Sequence, residues 1–176
     1  MQTEELLLSK RIQRNLRVKT SRHPLNFDKF AAIGNLFLKD VSEELNVSRN
    51  SAARITKAVL HALRDRLPPD DAIQFAQGLP MALKAVFLDQ YDISSTPVVI
   101  RHAHDFLDYI FYKNEFSANV DFPDTNSVED ALRGVINVLY HYMEPAQIEH
   151  IKHMMGREIV NLIEGREYHA QIRGIL

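Results

Sequence analysis

Residues 50–87 recur without a gap at residues 126–163, a constant offset of 76. Asn50-Ser51 stands against Asn126-Ser127, and Pro69 against Pro145. Val59, Leu60 and Leu63 meet Val135, Ile136 and Leu139, while Ala72, Phe75 and Leu79 meet Ile148, Ile151 and Met155. Leu83, Val86 and Phe87 meet Ile159, Leu162 and Ile163. What recurs is apolar spacing and helix punctuation, the features a shared packing scheme requires, whereas the surface residues differ. Upstream, Phe37-Leu38 and Val41 match Phe106-Leu107 and Ile110 at an offset of 69. The difference places an insertion of seven residues in the polar loop from Ser117 to Thr125.

The punctuation divides the chain into helices. Thr3 caps a first helix running to about Lys19, with Glu4 and Glu5 at its positive end and bases from Lys10 onward. Its apolar stripe is narrow: Leu8, Ile12 and Leu16. His23-Pro24 breaks the chain, and Asn26 caps a helix to about Leu45 with Phe30, Ile33, Phe37, Val41 and Leu45 on one face. Ser48 caps the next, to about Leu67, and Pro68-Pro69 opens another with Asp70 and Asp71 at its positive end. Gly78 and Pro80 mark a junction into a helix ending near Leu88. Thr96-Pro97 reads as a helix start, Ser127 as the cap of a helix to about Tyr142, and Pro145 as the opening of a last long helix with Gly156 inside it. No stretch alternates as a strand would. The expected architecture is all-α: about eight helices in two pseudo-repeated halves packed as one helical bundle. The halves span about 27–88 and 96–163 within a bundle of 23–163, flanked by a basic amphipathic helix at 1–22 and a tail at 164–176. Each half alone buries too little surface to stand by itself.

Composition narrows the setting. There is no cysteine, which excludes disulfides, thiolate catalysis and zinc–sulfur or iron–sulfur sites and suits a reducing cytoplasm. No apolar run approaches the roughly 20 residues that span a bilayer, and the acidic start does not read as a signal peptide. The expected location is cytoplasmic, with no membrane contact. The net charge of −2 conceals an asymmetry. Residues 1–88 carry 14 basic and 9 acidic side chains, a net +5, and residues 89–176 carry 7 and 14, a net −7.

A run of residues also carries a family resemblance. Ala58-Val59-Leu60, Leu63-Arg64-Asp65-Arg66-Leu67, Ala76-Gln77-Gly78-Leu79-Pro80 and Leu83-Lys84 together resemble Domain of Unknown Function 2267, an uncharacterised family of bacterial helical proteins. The family pattern is an alanine-valine-leucine helix, an arginine-leucine end and a glutamine-leucine-proline turn before another helix. Gly78 intrudes here between Gln77 and Leu79. The resemblance covers most of residues 27–163, with the first half nearer the pattern. It implies a helical fold and no known activity, and it supplies no catalytic residues.

Three chemistries bear on such a chain. Residues 41–66 read as helix, short turn with Asn46, capping Ser48 and second helix, the outline of a helix-turn-helix. In that reading Arg49, Arg54, Lys57 and Arg64 reach phosphates, with Ser51 and Arg54 near base edges. The repeat speaks against it, because Arg54 and Lys57 meet Asp130 and Arg133. For metal binding, His150 and His153 share a helical face near His141 and Glu149, whereas His102 and His104 are expected to diverge on a helix. The paired Glu-x-x-His motifs of a di-iron bundle are missing. For catalysis, the six glycines are isolated and there is no nucleophile elbow or His-Glu-x-x-His pair. Phe111, Tyr112 and Phe116 are candidates to line a pocket. The expectation is a protein–protein interaction or scaffold module without catalysis, cofactor or metal, engaging another protein or itself as a homodimer. Nucleic-acid binding through residues 41–66 is the alternative.

Overall fold

The computed structural model describes residues 25–165. The basic helix expected at 1–22 and the tail beyond Gly165 lie outside the described residues. Among the described residues there are nine α-helices and no strand.

Local chemistry accounts for most boundaries. Helix α1 (Phe27–Leu45) starts where the Asn26 side chain accepts the Lys29 N–H at 3.0 Å. It stops where Asn46 turns left-handed at φ 52°. Helix α2 (Arg49–Arg66) is capped by Ser48, which accepts the Ser51 N–H at 3.1 Å. Helix α3 (Pro69–Gly78) begins on proline with Asp70 and Asp71 in its first turn, and α4 (Met81–Leu88) follows Pro80. Then come α5 (Ala103–Lys113), the single turn α6 (Ala118–Asp121) and α7 (Thr125–Leu139). The last two are α8 (Pro145–Met155) and α9 (Arg157–Ile163).

The structure corrects four sequence expectations. Thr96-Pro97 does not open a helix: α5 begins at Ala103, and residues 98–100 run along α2. Their backbone is claimed by α2, with Val98 N–H donating to the Asp65 carbonyl (2.7 Å) and Arg66 Nε to the Ile100 carbonyl (3.0 Å). Helix α7 is capped by Asp124 and not by Ser127, which instead completes the capping box by bonding back to Asp124. The polar loop at 117–125 contains α6. Finally, Gly156 ends α8 and does not sit inside a continuous helix, because its φ of 83° is left-handed backbone that suits glycine.

Helix α2 lies at the centre. It touches α1, α4, α5 and α7 and buries an unbroken run from Ala58 to Asp65. A helix buried on so many sides must satisfy its polar residues within the protein, and this run encloses His61, Arg64 and Asp65. Helix α7 packs on α1, α2, α5 and α9, so the apolar core extends as one cluster from Phe37 to Ile163. Helices α2, α3 and α4 start at Arg49, Pro69 and Met81, and α7, α8 and α9 at Thr125, Pro145 and Arg157, each pair 76 apart. Leu63 and Leu139 are both fully buried.

Candidate functional site

The five residues considered for nucleic-acid contact do not converge on one surface. Arg64 is turned into the core and only 2% of it is exposed. Its guanidinium donates to the Phe87 and Asp89 carbonyls, both at 2.7 Å, and to Asp65 Oδ1 at 2.7 Å, and it packs over the Tyr91 ring. Arg54 makes a bidentate pair with Asp121, both bonds 2.7 Å, and also reaches Ser51. Lys57 pairs with Asp89 at 3.2 Å, and Arg49 donates to the Asn35 carbonyl. These groups are spent tying α2 to α1, α4 and α6.

Two carboxylates anchor this network. Burial pushes Asp65 toward a higher pKa, but hydrogen bonds from Arg64 and Lys113 outweigh it and hold the group below the usual carboxylate range. Tyr109 also donates to Asp65. Asp121 behaves alike: burial raises it, and hydrogen bonds from Arg54 and Asn114 more than offset that. His61 is different. It is buried, donates through Nε2 to the Val86 carbonyl at 2.8 Å, and burial lowers its pKa to about 4 against that bond. The charges of Arg64 and Lys57 add to the lowering. His61 and Arg64 thus supply donors to the carbonyls at the end of α4, groups a helix leaves unpaired.

The histidines raised for metal binding are dispersed. His102 and His104 do not diverge, because His102 precedes α5 in extended backbone and the two rings stack 5.8 Å apart. His102 faces Glu158, His104 faces Asp105, and His150 faces Asp71 of α3. Glu149 is engaged by Tyr140 and Lys152. Among the described residues no three His, Asp or Glu side chains are grouped to hold a metal ion. Phe111 lines a hollow of about 260 Å³ with Leu107, Phe122 and Val128, whereas Tyr112 is exposed.

The feature that sequence reading missed is an open apolar groove of about 310 Å³ between α1, α2 and α4. Helix α1 supplies Ala31, Gly34 and Leu38, α2 supplies Ala53 and Thr56, and α4 supplies Ala82, Leu83 and Val86. Gly34 makes the helices meet, since a Cβ there would lie 2.7 Å from the Ala82 Cβ. The Thr56 hydroxyl is buried without a hydrogen-bond partner among the described residues. The signal was in the chain as small residues at helical spacing, Ala31 and Gly34 before Leu38, at the edge of the large apolar face of α1, where Gly34 is buried with Phe37 and Val41. Small residues carry little hydropathy, so periodicity does not register them.

The chain belongs to the family described as uncharacterized conserved protein (DUF2267), whose model matches residues 34–162. No curated protein matches it. No helix of the described residues is long and apolar enough to cross a membrane.

Proposed function

We propose that this protein is a non-catalytic helical interaction module whose binding face is the groove between α1, α2 and α4, and that it takes an apolar helical stripe of a protein partner. The observation that carries this reading is the groove itself. Its walls are mostly apolar, with Asn35, Thr56 and Lys57 among them, and it opens on the surface. A helix laid in such a groove buries its i, i+4, i+7 residues, which is the recognition mode an apolar trough supports. The neighbouring charged groups support the same reading, because Arg54, Arg64 and Asp121 are occupied holding helices together. A cysteine-free chain suits the reducing cytosol. No observation favours the nucleic-acid alternative over this one.

Ala31→Arg tests it. Ala31 is exposed, so the substitution charges the mouth of the groove without entering the core. In native extract of the producing cell, the wild-type chain should migrate above its monomer mass of 20.3 kDa and the variant should fall back to it. Circular dichroism should be unchanged. Identical migration of the two proteins would overturn the proposal.

A further inference from the structure

A second hollow lies in the half that carries the insertion. It measures about 260 Å³, opens on the surface between α5, α6 and α7, and is walled by Leu107, Phe111, Phe122 and Val128. Asp108 and Asp124 line it as well, and no basic side chain does. The extra residues at 117–125 build this corner, because Phe122 and Asp124 come from that stretch. By the offsets of 69 and 76, Asp108 and Asp124 stand where the first half has Lys39 and Ser48. The acidic lining is therefore this half's own, in a half whose net charge is −7.

The two carboxylates differ in what the fold asks of them. Asp124 caps α7 by accepting the Ser127 N–H at 2.8 Å. Asp108 has no hydrogen-bond or ion-pair partner among the described residues and lies beyond the first turn of α5, so neither a cap nor the helix dipole accounts for it. The N-terminal end of α7 adds about half a positive charge, which two carboxylates exceed. The Phe111 and Phe122 rings stand 6.2 Å apart, tilted by 40°. Aromatic faces and carboxylates both attract a cation, and a guanidinium suits the pair best, being flat, weakly hydrated and able to stack on a ring while bonding to a carboxylate. The volume falls below the roughly 300–1,000 Å³ of sites for drug-sized ligands, which suits a single side chain. Exposed Tyr112, one turn beyond Asp108 on α5, and exposed Val120 on α6 add apolar area beside the hollow that a free small cation would leave uncovered. We propose that the hollow receives an arginine side chain of a protein partner, its guanidinium held by Asp108 and Asp124 and its stem against the two rings. The hollow shares no residue with the groove of the first half, so neither site depends on the other.

The test is a titration of the methyl-labelled full chain with the peptide acetyl-Gly-Leu-Arg-Leu-Gly-amide, followed through the Leu107 and Val128 methyl resonances. Both should shift. The same peptide with norleucine in place of arginine should bind at least about threefold more weakly at low salt, and acetylarginine amide more weakly than the arginine peptide. Asp108→Asn with Asp124→Asn should cost the arginine peptide a similar factor, and asparagine still caps α7, so the fold is kept. Asp130→Asn, on an exposed position of α7 outside the hollow, should leave binding unchanged. Equal binding of the norleucine peptide would make the hollow a plain apolar socket, and equal binding of acetylarginine amide would make its ligand a free small cation. Equal weakening by Asp130→Asn would make the attraction diffuse. Each of these overturns the proposal, as does the absence of any shift.

Discussion

His61 is an imidazole whose protonation the fold opposes, and this sets the sign of its effect on stability. In the unfolded chain it binds a proton near its ordinary pKa of about 6.5. In the fold it does so only near 4, because it is buried and faces Lys57 and Arg64, with Asp65 a smaller opposing charge. Between those values the unfolded state holds more protons, so stability falls as pH falls. The site contributes no loss above about pH 6.5 and a loss of about 3 kcal/mol by pH 4, from 1.36 kcal/mol per unit. A glutamine can still donate to the Val86 carbonyl but does not titrate. Urea unfolding of His61→Gln from pH 7 to 4 should therefore show a shallower decline than the wild type. Parallel declines would mean that the imidazole is not the group responsible. Arg64 differs in how it reads: a base near a helix end looks like surface in sequence, yet here the fold encloses it. Its partners are carbonyls of Phe87 and Asp89, far along the chain, and no local pattern announces them.

At the level of helices, legibility depended on whether the signal was local. Asn26, Ser48, Pro69 and Pro145 mark helix starts because caps and first-turn prolines act through their immediate neighbours. Thr96-Pro97 misled because the backbone after it is held by Asp65 and Arg66 of α2, a tertiary contact. The groove was illegible for the same reason: its walls come from three helices and its width from Gly34. A methyl group at Gly34 would meet the Ala82 Cβ at 2.7 Å, and that atom is fixed to the α4 backbone. Gly34→Ala should gain about 1 kcal/mol of helix propensity and lose more to the forced separation of α1 and α4. The expected net loss is about 1–2 kcal/mol by urea unfolding, largely recovered in Gly34→Ala with Ala82→Gly. A more stable Gly34→Ala protein would show that the helices do not pack this closely.

At the scale of the molecule, we take the two halves to be one packing unit used twice around a shared core. By the two offsets, Gly34 and Ala82 correspond to Ala103 and Glu158, and this second pair also meets, through Ala103 N–H donating to Glu158 Oε2 at 3.0 Å. Glutamate also replaces Ala53, at Glu129. Where the first half has Ala53 and Ala82 in the groove, the second has Glu129 and Glu158. The most direct measurement is photo-cross-linking in the producing cell, with a photoreactive side chain placed at Asn35 in the groove and, separately, at exposed Asp130. The account predicts a discrete covalent product from Asn35 whose mapped peptides come from a protein partner and carry an apolar helical stripe, and none from Asp130. No product from Asn35, or the same products from both positions, would contradict it.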